Sequence, residues 1–373
     1  MSSLNKFLNE KLSQRQREGL MRELRAERLP TDFFTNDYLG LARSAELAKS
    51  IGELHKELGI VNGSSGSRLL GGNSSFTEKV EEDLSDIFKS EACLIFNSGY
   101  AANLAVLSSL PQKGDTIIYD SLSHASLKDG ARLSLASRYS FRHNDLSDLE
   151  QKIKTSTGKR YIVVESVYSM DGDECPLSEI IALADKHDAS IILDEAHSTG
   201  VTGPRGAGLA VKQNIHDKID IRIYTFGKGM GVHGACVAGS HTLIRYLINF
   251  ARPFIYTTAL PQHEVVSIQC AFKYLANNSS LQHTLRKKID CYLSGISGLT
   301  NRTASHTAIQ TILVPGNENI RQVATTLQDQ GFDVRPILSP TVPKGMERLR
   351  ICLHTFNNDD EIIALTKTLA SLV

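Results

Sequence analysis

The chain has 373 residues, enough for one large and one smaller domain with ample core. Hydrophobic residues make up 41% and charged residues 22%, and 41 basic side chains balance 41 acidic ones. That composition excludes extensive disorder and argues against nucleic acid as a main partner, which would call for a basic excess.

Residues 4–28 carry Leu4, Phe7, Leu8, Leu12, Leu20 and Leu24 among many charges, a pattern that predicts amphipathic helix. The arginines of this stretch, Arg15, Arg17, Arg22, Arg25 and Arg28, read by themselves as a solvated face. Pro30 ends the segment, and residues 1–40 form an N-terminal helical arm. From residue 41 the pattern alternates. The apolar runs Cys93–Phe96, Thr116–Tyr119, Tyr161–Val164 and Ser190–Leu193 read as buried parallel strands, and Phe76–Phe88, Ala101–Leu110 and Leu177–His187 as helices between them. Strand and helix in turn predict an α/β fold with a large, mostly parallel sheet covered on both faces, over residues 41–275. Three strands run directly into polar residues: Asn97-Ser98-Gly99, Glu165-Ser166 and Asp194-Glu195. In a parallel sheet these would converge on one rim, where open α/β sheets collect ligands. Residues 276–373, with helix-like stretches and a strand-like Arg348–Leu353, read as a smaller C-terminal α+β domain.

The six cysteines, Cys93, Cys175, Cys236, Cys270, Cys291 and Cys352, are scattered without a Cys-x-x-Cys pair. They read as free thiols in a reducing compartment, with neither a disulfide framework nor a metal site. Residues 1–10 lack a long apolar stretch, and no segment approaches the roughly 20 apolar residues of a membrane helix. A cytoplasmic protein without a membrane partner is expected.

Three segments carry chemistry. Asn97-Ser98-Gly99-Tyr100 follows a strand and opens a helix, so free N–H groups and the helix dipole favour an anion there, with the Ser98 hydroxyl beside them. Asp194, at a strand end in Asp194-Glu195-Ala196-His197, is a carboxylate that needs a cation or strong hydrogen bonds if buried. A protonated pyridine nitrogen would meet that need, with His124 stacked on the ring and His197 beside its phenolic oxygen. Lys228 lies between two glycines in Thr225-Phe226-Gly227-Lys228-Gly229, where a planar aldehyde cofactor could approach its amine. Pyridoxal 5′-phosphate (PLP) is the candidate. Asp-Glu-Ala-His is also a magnesium box of some helicases. However, Gly158-Lys159 is followed by arginine and Gly227-Lys228 by glycine, so no phosphate-wrapping Gly-Lys-Ser/Thr loop accompanies it.

With these segments in hand, the chain resembles the α-oxoamine synthase family of PLP enzymes almost end to end. The likeness rests on Asn36-Asp37-Tyr38-Leu39-Gly40, Gly66-Ser67-Arg68-Leu69-Leu70, Ser98-Gly99-Tyr100-Ala101-Ala102-Asn103 and Ser123-His124-Ala125-Ser126. It continues through Ser169-Met170-Asp171-Gly172, Asp194-Glu195-Ala196-His197-Ser198-Thr199-Gly200 and Thr225-Phe226-Gly227-Lys228-Gly229. The resemblance implies a fold-type I PLP-dependent transferase, usually a homodimer with its sites at the subunit interface. It implies Lys228 as the Schiff-base lysine, Asp194 under the ring nitrogen, His124 over the ring, and His197 and Ser169 at the ring oxygen. Ser98, Gly99, Tyr100 and Thr225 fall where the family holds the cofactor, and Thr258 where the neighbouring subunit reaches the phosphate. Arg350 matches the arginine that grips the amino-acid carboxylate, and Arg22 the contact to the acyl substrate. After Arg350 the family runs to a small hydroxyl residue, alanine and a later histidine. Here it is Leu353-His354-Thr355-Phe356-Asn357, which places His354 near the substrates. The implied reaction is the decarboxylative condensation of L-alanine with a pimeloyl thioester of coenzyme A or an acyl carrier protein. Glycine or serine donors with other acyl groups, and an inactive partner subunit, are the alternatives.

Overall fold

The computed structural model describes residues 2–24, 26–59 and 61–373, so Arg25 of the arm lies outside the described residues. Its strands, in chain order, are β1 (Thr31–Asp32), β2 (Ala92–Phe96), β3 (Thr116–Asp120), β4 (Ser137–Phe141), β5 (Arg160–Glu165) and β6 (Ala189–Asp194). They continue with β7 (Ile221–Thr225), β8 (Ala235–Gly239), β9 (Ile309–Leu313), β10 (Phe332–Asp333), β11 (Arg335–Ile337) and β12 (Arg348–Cys352). Seven of them form one sheet in the order β2-β8-β7-β6-β5-β3-β4. The ladders from β7 through β6, β5 and β3 to β4 are parallel, and β8 runs against both of its neighbours.

Both faces of this sheet are covered, which is why its central strands are apolar runs without alternation. Helix Gly99–Ser109 packs against Ala125–Leu133, and Leu107, Ile117, Val163 and Ile192 are fully buried in one shared cluster. On the opposite face Ile118, Ile162, Val164 and Leu193 pack with Leu149, Ile180 and Leu177. Burying a side chain of this size is worth about 1.5–3 kcal/mol, so the sheet is the rigid platform from which the polar strand ends project. A second sheet, β11-β12-β9, is antiparallel and belongs to the C-terminal part, where helices Ser280–Gly295 and Asp359–Leu372 pack on each other.

The arm departs from the predicted single helix. Helix Ser3–Arg17 is exposed along its length, and Gly19, at φ +66°, breaks it. The described residues of 20–29 have no regular structure before β1 pairs in parallel with β10. The segment that follows is tied to the C-terminal part by Cys352 N–H to the Phe33 carbonyl at 2.8 Å and Thr355 N–H to the Tyr38 carbonyl at 2.9 Å. No helix among the described residues is long and apolar enough to cross a membrane.

Candidate active site

The strand ends meet around a cavity of about 280 Å³ lined by Ser98, Gly99, Tyr100, His124, Glu165, Asp194, Thr225 and Lys228, among others. At one end helix Gly99–Ser109 begins. The Ser98 hydroxyl caps it by accepting the Ala101 N–H at 3.2 Å, which leaves the N–H groups of Gly99 and Tyr100 without an acceptor among the described residues. A Cβ on Gly99 would lie 2.2 Å from the Thr225 hydroxyl. Only glycine lets that hydroxyl close over the helix terminus. Two hydroxyls, free N–H groups and the positive end of an 11-residue helix make an anion seat.

On the floor, Asp194 is 4% exposed. Its carboxylate accepts Asn103 Nδ2 at 2.7 Å and the Ala196 N–H at 2.9 Å, and no cationic side chain pairs with it among the described residues. Asn103 Nδ2 also donates to Ser126 Oγ at 2.9 Å, and Ser126 Oγ lies 2.7 Å from His124 Nδ1. The Ser126 N–H points at the same ring nitrogen at 3.3 Å, so Nδ1 accepts and the His124 proton resides on Nε2. Partial burial, then the charge of Lys228, lower the His124 pKa and keep the ring neutral. Beside Asp194, Glu165 ends β5 and accepts the His124 backbone N–H at 2.5 Å. Burial first, and then the charge of Asp194, push the Glu165 carboxyl up to about 8.

Lys228 sits in the loop between β7 and β8, and its Nζ lies 2.8 Å from His197 Nε2. His197 Nδ1 is 2.8 Å from the Tyr38 hydroxyl, which donates to Asn36 Oδ1 at 3.1 Å. Since Tyr38 gives its proton to Asn36, it accepts from His197 Nδ1–H, and His197 Nε2 accepts from the lysine. Burial lowers the pKa of Lys228, against the nearby charges of Asp194 and Glu165, and holds His197 well below its usual value, so an amine of reduced basicity faces a neutral ring. The glycine after the lysine serves packing, since a Cβ on Gly229 would lie 2.7 Å from the Thr199 carbonyl.

Asn36 Oδ1 also accepts Arg350 Nη2 at 2.9 Å, which links the arginine to the lysine through Tyr38 and His197. Arg350 Nε donates to the Ser169 carbonyl at 2.6 Å and Nη1 to Cys352 Sγ at 2.9 Å. A guanidinium has five N–H donors, and these three bonds do not exhaust them. His197 thus touches the lysine, Arg350 reaches it through Asn36, Tyr38 and His197, and Ser169 holds Arg350; none of the three lines the 280 Å³ cavity.

Three expected residues lie elsewhere. Thr258 is exposed, and its carbonyl accepts Asn97 Nδ2 at 2.9 Å. Arg22 is exposed on the arm and lines a separate cavity. His354, expected near the substrates, lines neither of these cavities. It is 0% exposed, Nδ1 is 3.0 Å from Asn357 Oδ1, and Nε2 is 2.9 Å from the Thr35 carbonyl. Both ring nitrogens are committed, and the ring stacks on Phe356 at 4.5 Å. Its place is in the lock between residues 32–36 and the chain after β12.

Asn36, Tyr38, Asn103 and Ser126 carry functional contacts that the sequence does not single out. Each lies inside or beside a segment noted above, and Glu165 is one of the polar strand ends expected on the rim.

These side chains fit PLP. The helix terminus with Ser98 and Thr225 suits its phosphate, the uncompensated Asp194 its ring nitrogen, and Lys228 its aldehyde carbon. The comparisons with known proteins agree. The family described as aminotransferase class I and II matches residues 30–364. The chain is 38% identical over 369 residues to the 8-amino-7-oxononanoate synthase of Emericella nidulans, covering 91% of this chain and 88% of that protein. A serine palmitoyltransferase from S. paucimobilis, solved with PLP and myriocin bound, superposes with a TM-score of 0.89 at 27% identity, covering 100% of this chain and 98% of that one. The 8-amino-7-oxononanoate synthase of Francisella tularensis superposes with a TM-score of 0.79 at 28% identity, covering 91% and 97%.

Proposed function

The chain belongs to the class I and II aminotransferase family and, within it, to the PLP-dependent α-oxoamine synthases, and from that membership we propose that it condenses L-alanine with a pimeloyl thioester. A carbon–carbon bond forms between the alanine α-carbon and the acyl carbonyl, the thiol leaves, and the alanine carboxyl departs as CO₂. The product is 8-amino-7-oxononanoate, an intermediate of biotin synthesis.

When bound, PLP supplies an aldehyde that condenses with amines and a protonated ring that draws electron density from the amino acid's α-carbon. The chain's own residues do the rest. Asp194, fixed by Asn103 and Ala196, holds the ring nitrogen protonated. Asn103, Ser126 and Glu165 orient His124 against the cofactor's face. Ser98, Gly99, Tyr100 and Thr225 seat the phosphate. Lys228, an amine of lowered basicity, is the group that takes the α-proton of alanine and returns one to the same carbon. His197 keeps that amine in place, and Arg350, anchored on the Ser169 carbonyl, offers its remaining donors to the alanine carboxylate.

The observation that carries this chemistry is the pairing, around one cavity, of a buried carboxylate with no cation paired to it among the described residues and a lysine of lowered pKa. Sequence identity favours alanine and the pimeloyl group, whereas the superposition on serine palmitoyltransferase favours a serine donor. Incubation of the PLP-loaded protein with alanine, glycine or serine and pimeloyl-coenzyme A, with product identified by mass, separates the two. Alanine is expected to give 8-amino-7-oxononanoate. Product from serine or glycine alone would overturn the assignment.

A cytoplasmic homodimer is part of the same reading. Leu69, Leu70 and Tyr256 are 52%, 89% and 72% exposed, and the Ala259 N–H bonds the Gly66 carbonyl, so the two segments that carry them meet beside Thr258. Exposed apolar side chains there support a subunit interface through which Thr258 reaches the partner's phosphate seat. The six free cysteines support a reducing compartment.

A further inference from the structure

Ahead of β1, two hydrogen bonds to the C-terminal part bracket a stretch of the arm. Arg321 donates to the Gly19 carbonyl, and the buried Asp333 carboxylate accepts the Leu29 N–H at 3.2 Å. Between these anchors the arm borders a cavity of about 720 Å³, within the range of sites for coenzyme-sized ligands. Four guanidinium groups line it: Arg22 and Arg28 from the arm, Arg321 from helix Asn317–Asp329, and Arg335 from β11. Glu23 and Glu27 are also in the lining, so cations outnumber anions there by four to two. Arg321 pairs with Glu318, and Arg335 with Asp333 at 2.6 Å, yet each keeps further N–H donors. Arg22 and Arg28 have no carboxylate partner among the described residues.

The cavity also has a direction. Phe34 lies in its wall with the Arg335 guanidinium 4.8 Å over the ring. Two residues further on, Asn36 joins Tyr38 and Arg350 in the hydrogen-bonded chain that ends at Lys228. A ligand seated among the arginines would therefore lie at the outer end of that chain.

A single carboxylate needs one planar fork. Four forks around an open cavity match the several oxygens of a phosphate ester. We propose that this cavity holds the phosphorylated pantetheine of the acyl donor, through Arg28, Arg321 and Arg335, whether that group belongs to coenzyme A or to an acyl carrier protein. The inference rests on the thioester reading above and adds the recognition of the carrier, with Arg22 left to the acyl chain.

Isothermal titration of the PLP-loaded protein tests it. The probes are S-methyl-coenzyme A, whose blocked thiol cannot add to the cofactor, 4′-phosphopantetheine, pantetheine, and adenosine 3′,5′-bisphosphate. Both phosphorylated pantetheines are expected to bind at least tenfold more tightly than pantetheine. Arg28→Ala should weaken S-methyl-coenzyme A at least tenfold, and Arg28→Lys less, with the alanine-induced absorbance change of the cofactor unaltered. Binding of adenosine 3′,5′-bisphosphate alongside the pantetheines marks coenzyme A as the carrier, and its failure to bind marks the carrier protein. Equal affinity for pantetheine and 4′-phosphopantetheine would overturn the proposal, as would S-methyl-coenzyme A affinity within twofold of the parent in both Arg28→Ala and Arg335→Gln. A parent protein that shows the expected phosphate dependence but no response to alanine would contradict the assigned reaction while leaving this site standing.

Discussion

Glu165 and Asp194 end the neighbouring parallel strands β5 and β6 and stand opposite one another in register, both buried at the edge of one cavity. Two carboxylates so placed cannot both ionise freely. Asp194 takes the hydrogen bonds of Asn103 and Ala196, while Glu165 is pushed up to about 8. One of the pair is thus prepared to meet a cation, and the other is held largely neutral.

This arrangement has a pH signature in the cofactor-free protein. Glu165 has an ordinary pKa of 4.5 and titrates at about 8 in the fold, so across that interval the folded state binds the extra proton. The stability it supports is present below 4.5 and is lost as pH rises through about 8. His197 works in the opposite sense, because burial keeps it neutral while the unfolded chain can protonate it at low pH. The contribution of Glu165 is therefore read from Glu165→Gln. The variant should gain melting temperature relative to the parent as pH is raised from roughly 5 to 8. Parallel curves for the two proteins would remove Glu165 from this role.

Asp194→Asn presents an amide to Asn103 Nδ2, so one of two donors loses its acceptor, and the ring nitrogen loses its counter-charge. Loss of deuterium from α-deuterated alanine, followed by mass spectrometry, should slow by at least about tenfold, equivalent to about 1.4 kcal/mol of barrier. An unchanged rate would show that the carboxylate does not hold the ring protonated.

For Arg350, replacement by lysine keeps a charge and removes the fork. Alanine should bind at least about tenfold more weakly, because an ammonium cannot reproduce the two parallel bonds of a guanidinium. A spectroscopic titration with alanine measures this. If the dissociation constant holds, the carboxylate is gripped elsewhere, and His354, with both nitrogens committed, is not a candidate.

His354→Leu is expected to act on stability. It leaves the Thr35 carbonyl without the ring nitrogen, while Asn357 keeps the His354 backbone N–H and the Asp32 carbonyl, at a cost of about 1–3 kcal/mol in denaturant unfolding. The KM for alanine should stay within about twofold, well under the tenfold that 1.4 kcal/mol represents. A large rise in KM with normal stability would return His354 to the substrate site.

The legible parts of this chain were those decided locally. β2, β3, β5 and β6 are apolar runs because both faces of the sheet are covered, and the polar residues that follow them form the cavity rim. β4 escaped because it is an edge strand whose Ser137, Arg138, Tyr139 and Ser140 are exposed. β7 was obscured by Arg222, which is buried only because it bonds the Phe88 and Lys89 carbonyls and the Tyr224 hydroxyl. The arm was read as helix to residue 28, whereas Gly19 ends it and Arg321 of the distant C-terminal part holds the break. In the site, Lys228, Asp194 and Ser98 were marked by their neighbours in sequence. Asn103 and Tyr38 act on partners 91 and 159 residues away, so only the tertiary fold reveals them.

The central claim is a covalent bond between Lys228 and PLP. Borohydride reduction of the PLP-loaded protein, followed by proteolysis and mass mapping, should place the pyridoxyl label on Lys228 alone, with none in Lys228→Ala. A label at another lysine, or no label on protein that retains PLP, would contradict the account.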